Sequence, residues 1–272
     1  GVIAAQGVNT IDEVMEGAWY VARHSRTRMT PEELRRGIGD AVPPEVQHPW
    51  RVLTVKGQGF RTGILIKDGK GHEYLLRFDP VSYPELTTGA SIIASKFMYA
   101  LGYWTPENYI VYFQRYQLVA APEGADVDSL GRLRSLLDED IDRFLENVPR
   151  DKGRGYRALA TRVPDGVPLG PFKFEGRRSD DPNDLFSHEH RRELRGLFVF
   201  SAWLNNITPE ATSTLDMLVT DEIGGKLVRY IRHFFVDFGA SLGSDVDRVK
   251  DIHQGNEPIF SWNELKSNVL TG

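Results

Sequence analysis

The sequence predicts an α+β protein of two lobes: a small antiparallel sheet carrying one helix over residues 50–121, then a mainly helical lobe with a β-hairpin over 122–272. Residues 1–49 read as a polar N-terminal extension. Three observations predict this. Apolar residues alternate between glycine-rich turns from Trp50 to Phe78. From Pro84 to Leu101 the apolar period switches to that of a helix. Near the end of the chain, two more alternating runs flank a turn and close on Asp237-Phe238-Gly239.

The elements follow in order. Thr10-Ile11-Asp12-Glu13 and Thr30-Pro31-Glu32-Glu33 both carry a hydroxyl cap and acids for a first helical turn. The second helix should stop near Arg36, before Gly37, Gly39 and Pro43-Pro44. Trp50–Val55, Gly63–Lys67 and Glu73–Phe78 read as strands, the last two joined by the hairpin signal Asp68-Gly69-Lys70-Gly71. In the helix that follows, Ile92, Ile93, Lys96, Phe97, Ala100 and Leu101 form one largely apolar face, and Gly102 ends it. Asn108–Phe113 is a buried-type strand.

Residues 129–147 are helix-prone, and Asp138-Glu139-Asp140-Ile141-Asp142 reads as a solvated acidic face. Tyr156–Val163 is a strand that would connect the lobes, and Val167–Asp184 reads as loop. His188–Leu204 is a long amphipathic helix with a buried-looking end, broken by Asn205-Asn206-Ile207-Thr208-Pro209. Leu215–Val219 and Leu227–Val236 pair around Asp221–Gly225.

Composition excludes several function classes. Hydrophobic content of 40% and aromatic content of 11% are globular values. A net charge of −5 argues against a nucleic-acid surface. No apolar run approaches the ~18 residues of a membrane span; peripheral association is compatible with the sequence. Absence of cysteine excludes disulfides, thiolate metal sites and Cys nucleophiles. Gly1-Val2-Ile3-Ala4-Ala5 lacks a signal peptide's basic start, so the chain reads as a processed or partial protein, with a place outside the cytoplasm slightly favoured.

Asp237 leaves the apolar run Phe234-Phe235-Val236 and is followed by Phe238-Gly239. Protein-kinase-like folds hold a nucleotide-bound Mg²⁺ with such an Asp, which makes Asp237 the candidate metal ligand; the other reading is a turn-forming Asp. Gly57-x-Gly59-x-x-x-Gly63 lies between two strands and reads either as a phosphate cradle or as a flexible hairpin loop. Arg77 ends the third strand, where those folds place a phosphate-contacting lysine; otherwise it is an edge arginine.

The remaining catalytic positions are degenerate. Ser91 stands where the lysine's glutamate partner belongs, Thr208 where a catalytic Asp belongs, and Ser213 where a metal-binding Asn belongs. Asp216 and Glu210 are the nearby carboxylates available as substitutes. In His188-Glu189-His190 the histidines diverge on a helix, so the triplet reads as a solvated helix start rather than a metal site. No Gly-x-Ser-x-Gly elbow occurs. Trp19, Tyr20, Trp104, Trp203 and Trp262 read as core or interface anchors.

Further segments carry a resemblance: Arg77-Phe78-Asp79-Pro80; Leu101-Gly102-Tyr103 with Pro106-Glu107-Asn108-Tyr109; Gly170-Pro171-Phe172-Lys173 with Asp180-Asp181-Pro182-Asn183-Asp184; Ala202-Trp203-Leu204-Asn205; and Asp237–Ser244. With them the chain resembles a group of uncharacterised bacterial kinase-like proteins, distantly similar to HipA-type and secretory-pathway kinases. The resemblance implies a bilobal kinase-like fold. The family's lysine, glutamate, aspartate and asparagine fall at Arg77, Ser91, Thr208 and Ser213, so only Asp237 is kept. That implies a pseudokinase serving as a binding or structural subunit with protein partners. The alternatives are an active atypical ATP-dependent phosphotransferase and a sensor that binds ATP and Mg²⁺ without transfer.

Overall fold

A computed structural model describes residues 3–39, 42–56, 63–127, 131–206, 210–251 and 254. The fold is α+β with a mainly antiparallel sheet. Helix α1 (Pro31–Arg36) starts as expected: Thr30 and Glu33 form a reciprocal capping box. Strands β1 (Trp50–Lys56), β2 (Gly63–Lys67) and β3 (Glu73–Arg77) form the meander, followed by α2 (Leu86–Leu101) and β4 (Asn108–Phe113). The short strands β5 (Leu118–Ala120), β6 (Ala125–Val127) and β7 (Leu133–Ser135) lead to α3 (Asp138–Leu145). Strands β8 (Arg150–Asp151), β9 (Gly155–Arg162) and β10 (Val167–Gly170) precede α4 (Arg192–Trp203), and β11 (Thr214–Ile223) and β12 (Lys226–Phe235) follow.

The large sheet runs β4-β9-β3-β2-β1-β5, with β8 paired to β9. All its pairings are antiparallel except β1 with β5. The segment read as a connector between lobes is therefore a central strand. Its unbroken burial from Ala158 to Thr161 explains why it lacks the alternation of an edge. One face of the sheet packs Trp50, Val52, Ile64, Ile66 and Leu76 over Ile141 and Leu145 of α3.

Several expectations are corrected. Thr10–Glu13 forms no helix: Asn9 Oδ1 accepts the N–H groups of Ile11 and Glu13, and the chain turns back through a Val8–Val14 bridge. The second half is not mainly helical among the described residues, because β10 joins β11 and β12 in a three-stranded sheet where loop was expected. The start of the helix-prone stretch forms β7 instead, Leu133–Ser135 pairing with β6. The acidic run of α3 is solvated only in part. Asp140 is buried, and hydrogen bonds from Arg134 hold its carboxyl down at about 2.

The buried face of α2 is the small-residue one, Ala90, Ser91, Ala94 and Ser95, rather than the larger apolar face. Small side chains let the helix approach its neighbours closely, whereas Ile93 and Phe97 are 48% and 43% exposed. Gly102 ends the helix in the left-handed region (φ +116°), and a Cβ there would lie 2.1 Å from Tyr20 Cε2. The end of α4 is likewise open: Phe198, Val199 and Trp203 are exposed, while Leu194 and Leu197 enter a second core with Trp19, Met98, Phe172 and Phe238.

Asp79 caps α2 from outside the helix. The residue at the cap position, Glu85, sits in the left-handed region and makes no side-chain cap. Asp79 accepts the N–H of Thr88 at 2.8 Å and its hydroxyl at 2.7 Å, and pairs with Arg157 of β9 at 2.8 Å. This one buried carboxylate fixes the helix to the middle of the sheet.

Candidate functional site

The chain leaves the sheet at Val236, whose N–H donates to Ser213 O at 2.9 Å. Asp237 follows and turns the backbone, its Oδ1 accepting the N–H of Gly239 at 3.0 Å. Arg77 reaches this turn from the end of β3. Its Nη1 lies 3.1 Å from Asp237 Oδ1, and its Nη2 donates to Val236 O at 2.8 Å. With Arg77 at 14% exposure, the guanidinium is no solvated edge group.

Ser91 completes the surroundings from α2. A Cβ at Gly239 would lie 2.9 Å from Thr87 Cγ2 and 3.6 Å from Ser91 Oγ, so the glycine is required by close approach to the helix. Ser213 is buried and closes the short 3₁₀ turn before β11. The structure thus gathers Arg77, Ser91, Ser213 and Asp237, drawn from four separate parts of the chain. Gly57, Gly59 and Thr208 lie outside the described residues. Gly63 opens β2, where a Cβ would meet Leu76 O at 2.3 Å; strand packing alone demands this glycine.

Above the ion pair lies a cleft of about 180 Å³. Its floor is one cross-strand row, Thr54–Leu65–Leu75–Thr161, taken from β1, β2, β3 and β9. Leu215 of β11 forms the far wall. The strand period of two puts Arg77 on the same face as Leu75. Asp237 is the one carboxylate lining the cleft among the described residues, and Arg77 already neutralises it. An apolar ring would fit the floor. A metal ion at Asp237 would have to compete with the guanidinium.

The substitute carboxylates do not complete the site. Asp216 is fully buried on the opposite face of β11 from Leu215, where Nδ1 of His233 at 2.6 Å and Nη1 of Arg178 at 2.8 Å hold it. Glu210 is exposed, and its carbonyl accepts the N–H of Ser213. Among the described residues, no group of three His, Asp or Glu side chains is placed to hold a metal. His188, expected in solvent, is 2% exposed and donates from Nε2 to Asp184 at 2.8 Å. Burial lowers its pKa, but the bonds to Asp184 and the Lys173 carbonyl outweigh this and raise it overall.

Sequence reasoning missed the buried partners Arg157, Arg178 and Arg191. Each is an ordinary arginine in a charged stretch, and its carboxylate lies far away in sequence or inside what looks like a turn. No family model matches the chain, and neither a curated protein nor a solved structure matches it.

Proposed function

We propose that the chain is a catalytically degenerate kinase-like protein that acts as a binding or structural subunit of a larger assembly. One observation carries the reading. Asp237, the retained candidate metal ligand, is paired with Arg77, the residue at the position of the phosphate-contacting lysine. An internal guanidinium then stands in for the external cation, and its fork is spent on Asp237 and the Val236 carbonyl. Ser91 and Ser213 stand beside this site where phosphoryl transfer needs carboxylate or amide groups. The exposed patch of Ile93, Phe97, Phe198, Val199 and Trp203 on α2 and α4 supports a partner-binding role.

The cleft favours a second reading, a nucleotide sensor without transfer, because its apolar floor suits a flat ring. Calorimetric titration with ATP, with and without Mg²⁺, separates the two. The subunit reading expects no saturable heat. Metal-dependent binding abolished by Asp237→Ala would overturn it. Binding without metal would favour the sensor.

A further inference from the structure

A second cavity, of about 250 Å³, lies on the other side of the β11–β12 pair from the cleft. The N-terminal segment straps it. Gln6 bonds both His190 O and the N–H of Arg192, and the N–H of His233 donates to Ala18 O at 3.1 Å. Four carboxylates line it, those of Glu16, Asp181, Asp184 and Glu193, against the single guanidinium of Arg191. Arg191 is already matched, by Asp184 Oδ1 at 2.7 Å and Glu193 Oε1 at 3.2 Å; its Nε makes no hydrogen bond.

Most of the acceptors are engaged. Asp184 takes Arg191 on one oxygen, and His188 with the Arg178 N–H on the other. Glu16 holds Arg26 and the Ala22 N–H. Three remain. Glu193 Oε2 has no hydrogen-bond partner although the side chain is 3% exposed. Asp181 uses only Oδ1, for the N–H of Asn183. His233, 2% exposed, is held at Nδ1 by Asp216 and stacks at 3.5 Å on Trp19. The Nδ1–H belongs to Asp216, so Nε2 keeps its lone pair, and no described residue donates to it. Burial keeps this imidazole neutral by lowering its pKa, against the pull of Asp216.

An acidic cavity with unsatisfied acceptors and aromatic walls wants a cation that carries N–H donors. An alkylammonium group supplies three donors and no acceptor. Trp19 and Phe186 line the cavity and bound its alkyl part, while the Arg191 guanidinium already lies over both rings, at 4.7 and 5.7 Å. The volume lies below the ~300–1,000 Å³ of ordinary ligand pockets, which restricts the occupant to a small molecule. We propose that this cavity binds a small primary amine in its ammonium form, with Glu193, Asp181 and His233 as acceptors. The inference is independent of the kinase-like reading, since no residue of the cleft takes part.

The test titrates the full chain with n-butylammonium chloride, following heat and the His233 ring resonances. Tetramethylammonium and butyrate serve as controls. The expected result is saturable binding of butylammonium alone, with shifts at His233. Each of Glu193→Gln and Asp181→Ala should weaken it roughly tenfold, the worth of one charge-assisted hydrogen bond. Asp181 is only partly buried, so its variant keeps the test open should the Glu193 variant unfold. No saturable binding, equal binding of tetramethylammonium or butyrate, or full affinity in Asp181→Ala would overturn the proposal.

Discussion

Arg77 and Asp237 meet at 3.1 Å, tying the last residue of β3 to the turn that follows β12. Both side chains are largely buried, and the guanidinium also holds the Val236 carbonyl. The pair is therefore a fastener between the two sheets as well as the occupant of the candidate site.

Removing one member should cost more than removing both. Asp237→Asn leaves a largely buried guanidinium short of its counter-charge and should lower stability by about 1–3 kcal/mol. Arg77→Met with Asp237→Asn should lose less than the sum of the single losses. Urea denaturation of the four proteins in the cycle measures the coupling; strict additivity would show that the pair does not fasten the sheets.

Asp79 carries two duties, capping α2 and neutralising Arg157. Asp79→Ala should cost about 3–5 kcal/mol, because it uncaps the helix and leaves a buried cation with only the exposed Glu85 carboxylate, at 3.8 Å. Adding Arg157→Met should recover part of that loss. The thermal midpoints of the single and double variants give the answer, and an Asp79 variant as stable as the parent would refute the assignment.

The two buried histidines should give opposite pH dependences. The raised pKa of His188 contributes stability present below its unfolded value and lost as the pH rises through its folded value. His233 has a lowered pKa: it stays neutral when folded and takes up a proton when unfolded, so its penalty grows as the pH falls below the unfolded value. The two partly cancel in the parent protein. In His188→Asn only the second survives, and stability should rise with pH between about 6 and 7.5. Denaturation midpoints across that range report the slope, and a falling slope would contradict a neutral His233 in the folded protein.

The α2–α4 patch should matter for association rather than folding. Trp203 is 61% exposed and stacks edge-on with Phe97 at 5.3 Å. Trp203→Ser should cost less than about 1 kcal/mol in the isolated chain. If the patch holds a partner, the same change should abolish co-purification. A large loss of stability in the isolated chain would instead make Trp203 part of the fold.

Much of this arrangement could be read from residue order. The meander, the hairpin at Asp68, the stop at Gly102 and the Thr30 cap are written in local spacing, where turn chemistry and period act within a few residues. The gathering of Arg77, Ser91, Ser213 and Asp237 was legible only through a pattern of separated motifs. Local spacing hides whatever depends on distant partners. A run such as Ala158–Thr161 does not say which strands will flank it, and the small face of α2 looks weaker than the large one until its neighbours are placed. His188 sits in polar surroundings in sequence, yet is packed against Trp19 and Phe172 from elsewhere.

The position of β9 bears on how the chain is made. In the order β4-β9-β3, the strand between β3 and β4 is the last of the three to be synthesised. As the chain emerges from the ribosome, β3 and β4 must wait with open edges until residues 155–162 arrive to join them. The insertion of β9 is then a step that early segments cannot anticipate, and a nascent chain stalled before it would present the open edge of β3 and an unpaired β4 to its surroundings.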